Sequence, residues 1–241
     1  TGMTDEEKTK GQLMEELAEM RLRVAKLEAS AAEHKKVENE LNKNLEKLKK
    51  AAGIILDVIA MTVEARDPYM AGHQKRVTDL AVAIAAEMKL PDEQIDAIRM
   101  AGSIHDLGKI SIPERILGKP LRLDNTEFDR IKSHPEIGYH ILKNMDFQNS
   151  VDRIVRQHHE RLNGTGYPHG VSGDEIMQEA RILAVADVVE AICTHRPYRP
   201  ALGTDKALKE IIQHRGVLYD PEVVDTCLRL FREKGFKFRT V

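Results

Sequence analysis

Apolar residues recur through the first fifty positions at the spacing of a helix packed along one stripe. With Leu13 at heptad position d, that position falls on Leu13, Met20, Leu27, His34, Leu41 and Leu48. Position a then falls on Leu17, Val24, Ala31, Glu38, Leu45 and Ala52. Ten of these twelve are apolar, neither Pro nor Gly interrupts residues 12–52, and Glu, Lys and Arg crowd the other positions. A repeat sustained this long reads as a coiled coil rather than as the apolar face of a surface helix. One such helix cannot cover its own stripe, so residues 1–52 are expected to form a parallel homodimeric stalk, roughly 60 Å long at about 1.5 Å per residue. The polar pair His34 and Glu38 interrupts the seam and can set its register.

The pattern changes after Gly53, and residues 53–241 are expected to form a separate helical domain. The heptad phase carries into Ile55 and Ile59, so the stalk feeds a helix over about 54–66, ended by Asp67-Pro68. Gly72-His73 opens a helix with Val77, Leu80, Ala81, Ile84 and Ala85 on one face. Leu90-Pro91-Asp92 starts another, which delivers His105-Asp106 at its end. An extended loop is expected through Ile112-Pro113 and Lys119-Pro120. Shorter helices follow at about 125–133, 136–143 and 151–160, the last closing on His158-His159. Ala180–Thr194 is strongly apolar, with Asp187 as its one acid in a buried-looking middle. Helices over 204–215 and 221–234 complete the chain. No stretch alternates between hairpin turns, so the class is all-α.

Composition narrows the partners. The net charge of -2 favours neither a nucleic acid polymer nor an acidic membrane surface. No apolar run is long enough to span a bilayer. The two cysteines, Cys193 and Cys227, show no ligand spacing, and a cytoplasmic setting is expected.

Chemistry enters through seven residues at element ends or on apolar faces: His73, His105, Asp106, His134, His158, His159 and Asp187. Each has a plainer role available. His73 could cap a helix, His134 could lie exposed, and Asp187 could be an acid satisfied in the core. Together, with adjacent His-Asp and His-His pairs, they are better explained by two metal ions, since a buried carboxylate needs compensating charge. Imidazole and carboxylate without thiolate suit Fe or Mn, with Ni or Zn possible. Two such ions can activate a bridging hydroxide and bind both oxygens of a phosphate ester under attack. Lys109, one turn beyond the His-Asp pair, can neutralise a phosphate oxygen. Arg196 and Arg199 offer guanidiniums for phosphate or guanine.

In order along the chain come Gly72-His73, His105-Asp106-Leu107-Gly108-Lys109, Ile112-Pro113, Lys119-Pro120 and His134-Pro135 with Gly138. His158-His159-Glu160, Gly164-Thr165-Gly166-Tyr167-Pro168, Asp187 and Arg196-Pro197-Tyr198-Arg199 follow. This series, over about residues 54–232, resembles the HD-GYP family of the HD phosphohydrolase superfamily. The resemblance implies cleavage of cyclic di-GMP to linear pGpG, with further cleavage to GMP left open. It implies that His73, His105, Asp106 and Asp187 hold one metal, and that Asp106 bridges to a second held by His134, His158 and His159. Lys109 would bind the scissile phosphate, Tyr167 would line the substrate site, and Arg196 and Arg199 would grip the rest of the nucleotide. An upstream sensor or a GGDEF-type protein would be a partner. Some members carry a glutamate four residues before the histidine matching His73 and use it for a third metal. Tyr69 stands there, so two metals are expected. Two alternatives stay open: an HD hydrolase of another cyclic dinucleotide or nucleotide, and a module that binds cyclic di-GMP without cleaving it.

Overall fold

The computed structural model describes residues 9–66, 71–145, 147–195 and 200–238. Tyr69, Arg196 and Arg199 lie outside the described residues. No strand occurs among those described, in keeping with the all-α expectation. Helix α1 runs unbroken over Lys10–Glu64, so the stalk pattern and the expected helix at 54–66 belong to one element. The chain divides into two compact units, Thr1–Ile54 and Ile55–Val241. In the first, every residue from 9 to 52 is exposed, and the heptad positions Leu27, Leu41 and Leu48 are 66–69% accessible. A stripe so apolar and so open in one chain is the surface a second helix would cover. None of the described helices is long and apolar enough to cross a membrane.

The second unit holds the core. Its further helices are α2 (His73–Glu87), α3 (Asp92–Ile104), α4 (Glu114–Leu117), α5 (Asn125–Lys132) and α6 (His134–Leu142). They continue with α7 (Val151–Gln157), α8 (Gln178–Cys193), α9 (Thr204–Gln213) and α10 (Pro221–Arg232). Helix α8 is apolar around most of its circumference, so it sits in the middle, with Ile182, Leu183, Val185, Ala186 and Val189 fully buried. Helix α2 packs against both α3 and α8 through Val77, Leu80, Ala81 and Ile84, the face its periodicity marks. Helix α6 lies on α7 and on the 3-10 turn Leu107–Ser111.

Two expectations need correction. The stretch after Lys109 is not wholly extended. It contains that 3-10 turn and the four-residue α4, whose Ile116 and Leu117 join Ile112 in a small apolar cluster against Leu123 and Ile131. An element of four residues is shorter than the period that would reveal it. Nor is Asp187 the one buried acid of α8. Glu190, one turn on, is 0% accessible, and Glu179 is also buried.

Candidate metal centre

Every histidine of the predicted set except His159 is fully buried, and all five stand at helix ends. His73 is the first residue of α2 and His134 the first of α6. His105 directly follows α3, and His158 and His159 follow α7. The placement has a local cause. The last carbonyls of a helix have no amide partner of their own. In three cases an imidazole supplies one: His105 Nδ1 meets Gly102 O at 2.7 Å, His134 Nδ1 meets Ile131 O at 2.7 Å, and His158 Nδ1 meets Val155 O at 2.6 Å. A carbonyl can only accept, so each Nδ1 carries the proton and each Nε2 presents a bare lone pair.

Those lone pairs converge. Asp106 lies between them, its Oδ2 3.8 Å from His73 Nε2 and 3.6 Å from His105 Nε2, its Oδ1 3.3 Å from His134 Nε2. Asp187 spans the same gap from the other side, Oδ1 3.4 Å from His73 Nε2 and Oδ2 3.8 Å from His159 Nδ1. Two groups result, His73 with His105 and Asp106, and His134 with His158 and His159. Within each, the potential ligand atoms lie inside 4.8 Å of one another. Lys109 Nζ donates to Asp106 Oδ2 at 2.7 Å.

The donor set fits divalent metal on two observations. His105 Nε2 is buried without any hydrogen-bond partner. His134 Nε2 and His158 Nε2 face each other at 3.3 Å with both protons committed to Nδ1, so two lone pairs oppose one another in a buried space. A cation between them turns that repulsion into ligation.

A model of the HD domain family matches residues 57–223. The chain belongs to the HD domain family. It is 40% identical over 176 residues to the cyclic di-GMP phosphodiesterase response regulator RpfG of Xanthomonas campestris, covering 72% of this chain and 47% of that protein. It is 37% identical over 168 residues to the 3'3'-cGAMP-specific phosphodiesterase 3 of Vibrio cholerae, covering 70% of this chain and 36% of that one. The chain thus spans less than half the length of either relative. Its fold matches a solved HDG"Y"P protein of Bdellovibrio bacteriovorus with a TM-score of 0.56 at 19% identity, over 66% of this chain and 51% of that one.

In this HD domain, burial sets the protonation of the candidate ligands. It lowers His134 from 6.5 to about 4, against the opposing pull of Asp106. Burial first, and neighbouring imidazoles second, push His158 and His159 well below the ordinary histidine range. Burial would raise Asp106, but the Lys109 ammonium beside it holds it well below the usual carboxylate range. Neutral rings and ionised acids are the states in which these groups bind metal. The unfolded imidazoles titrate near 6.5 and the folded ones far lower, so between those values the unfolded chain holds more protons. The metal-free protein therefore loses stability as pH falls from about 6.5 to about 4, by about 3 kcal/mol for His134 alone. Melted without metal, it is expected to show a lower midpoint at pH 5 than at pH 7.5. An equal or higher midpoint at pH 5 contradicts the assignment of buried neutral rings.

Sequence reasoning missed the shell behind the ligands. Glu190 Oε2 meets His73 Nδ1 at 2.5 Å, and Arg76 donates to Glu190 Oε1 from Nε at 2.8 Å. The carboxylate turns His73 Nε2 toward Asp106 and Asp187, and Arg76 makes its burial tolerable. The available signal was its spacing, three residues after Asp187 on an otherwise apolar helix. Glu190→Gln is expected to weaken metal affinity about 10- to 100-fold, read by competition with a chelator. Unchanged affinity would reduce Glu190 to a packing role.

The glycine-rich loop folds back over this centre. Tyr167 N donates to His159 O at 3.3 Å, and the Tyr167 ring lies 4.6 Å from the His159 ring. His169 N donates to Glu160 Oε1 at 2.8 Å, and its ring contacts Glu136 at 2.9 Å. A Cβ on Gly166 would sit 2.4 Å from Glu160 Cα, so only glycine permits the return.

Proposed function

We propose that this chain is a metal-dependent phosphodiesterase that hydrolyses cyclic di-GMP to the linear dinucleotide. The reading is carried by Asp106, whose two oxygens face two separate imidazole groups while Lys109 stands on one of them. The name of the 40%-identical Xanthomonas relative supports it. His73, His105, Asp106 and Asp187 would hold one ion. His134, His158 and His159, with Asp106 shared, would hold the second, Fe or Mn before Ni or Zn. When bound, such a pair lowers the pKa of a water and stabilises both the attacking and the leaving oxygen.

The chain's own groups supply the rest. Lys109 carries its charge on a flexible stem and can leave Asp106 for a non-bridging phosphate oxygen, where charge grows as the ester is attacked. Burial and Asp187 raise the Tyr167 phenol, so it stays a proton donor, with its ring stacked beside His159. Arg196 and Arg199 would bind the outer phosphate or guanine. The exposed stripe of α1 would be covered by the same stripe of a second copy. Sedimentation is expected to give twice the 27.2 kDa chain mass, and a monomer across micromolar concentrations would remove the stalk from the account.

The second reading is a 3'3'-cGAMP phosphodiesterase, favoured by the Vibrio relative. Competition among cyclic di-GMP, 3'3'-cGAMP and cyclic di-AMP for metal-loaded protein separates the two. A larger kcat/KM for cyclic di-GMP is expected. The reverse order hands the site to the second reading, and tight binding without turnover makes the chain a nucleotide-responsive module.

A further inference from the structure

The last residue of α1 and the turn that follows it make two polar attachments that the metal centre does not explain. Glu64 reaches across to the start of α2, its Oε2 accepting Gly72 N at 2.8 Å and its Oε1 accepting Gln74 N at 3.0 Å. Those two amides flank His73. Gly72, in the left-handed region with φ 70°, provides no side-chain cap, so the orphan amides of α2 are met by this carboxylate from another helix. Two residues on, Arg66 Nη2 donates to Ile112 O at 3.2 Å and Nη1 donates to Ile110 O. Those carbonyls close the 3-10 turn that carries Lys109 and follows His105-Asp106, and Ile112 N itself bonds Lys109 O at 2.9 Å.

One short stretch at the exit of α1 thus holds both segments that build the group of His73, His105 and Asp106. We propose that Glu64 and Arg66 are positioning residues that set the separation of His73 from the His105–Asp106–Lys109 segment, so that a displacement of the end of α1 opens or tightens this half of the centre. Neither touches a ligand atom. Glu64 acts through the backbone on either side of His73, and Arg66 acts through the backbone beyond Lys109. The group of His134, His158 and His159 is carried by α6 and α7, to which neither residue bonds in these contacts. Loss of the clamp therefore acts first on this half of the centre and reaches the other only through the shared Asp106. The inference rests on the reading that these residues hold metal.

The test is metal binding by the full chain, with Mn titrated into metal-free protein and followed by the metal's own magnetic resonance. Amide exchange at Gly72 and Gln74 is measured on the same samples. Glu64→Ala and Arg66→Ala are expected to weaken one class of bound Mn about 10- to 100-fold, the other, which shares only Asp106 with it, changing markedly less. Faster exchange at the two amides should accompany the change in Glu64→Ala. Glu64→Gln retains an acceptor and should recover part of the affinity, which a purely structural defect would not. It also serves if the alanine variant fails to fold. Wild-type affinities in both alanine variants, or equal weakening of both classes, overturn the positioning role alone. A wild-type chain that takes up no Mn overturns the metal reading and the positioning role with it.

Discussion

Replacing Asp106 by Asn is expected to weaken both halves of the centre in one step. Its Oδ2 faces His73, His105 and Lys109, while its Oδ1 faces His134. The amide keeps the shape but removes the charge and turns one acceptor into a donor aimed at bare imidazole lone pairs. A histidine change subtracts one ligand from one group; this change alters both. Metal content should fall below about one ion per chain, and turnover by at least about a thousand-fold. That exceeds the roughly 10- to 100-fold expected when an outer partner such as Glu190 is altered. His134→Ala should spare the group of His73 and His105 and lose closer to one ion. Two ions retained by Asp106→Asn, counted by mass spectrometry, would mean that Asp106 does not join the groups.

Gly108→Ala is expected to be the most damaging small substitution near the centre. The added Cβ would lie 2.0 Å from His134 O and 2.8 Å from Gly138 N, both backbone atoms. No side chain can swing aside, so the turn carrying Lys109 must part from the first turn of α6. Overpacking typically costs about 1–3 kcal/mol, and a clash between backbones belongs at or above the top of that range. A fall in thermal midpoint of at least about 6 °C follows for a domain of this size. Gly118→Ala is the control. Its Cβ would meet only Glu114 O at 3.5 Å, an ordinary contact, and its midpoint should stay within about 2 °C. Equal midpoints for the two variants would show that the approach of these segments is not tight.

The candidate centre was legible because the residues that build it advertise themselves. His105-Asp106 and His158-His159 are adjacent pairs, and Asp187 stands out on an apolar helix. The structure brings all seven predicted residues into one buried region, although they come from α2, α3, α6, α7 and α8 or the turns that follow them. The supporting groups were not legible. Glu190 and His73 are 117 positions apart, and Glu64 acts through backbone amides, so neither leaves a motif. Helix α4 was missed because four residues show no period. The heptads of α1 describe an exposed apolar surface, and a single chain's sequence does not name what covers it. Tyr69, Arg196 and Arg199 lie outside the described residues, so the expectations placed on them rest on the sequence.

The most direct measurement is hydrolysis of cyclic di-GMP by protein purified without oxygen, with metal counted on the same sample. About two ions per chain and steady conversion to the linear dinucleotide are expected. Two ions per chain with no cleavage of any cyclic dinucleotide would contradict the proposed metal-dependent activity, as would full activity after every ion has been removed.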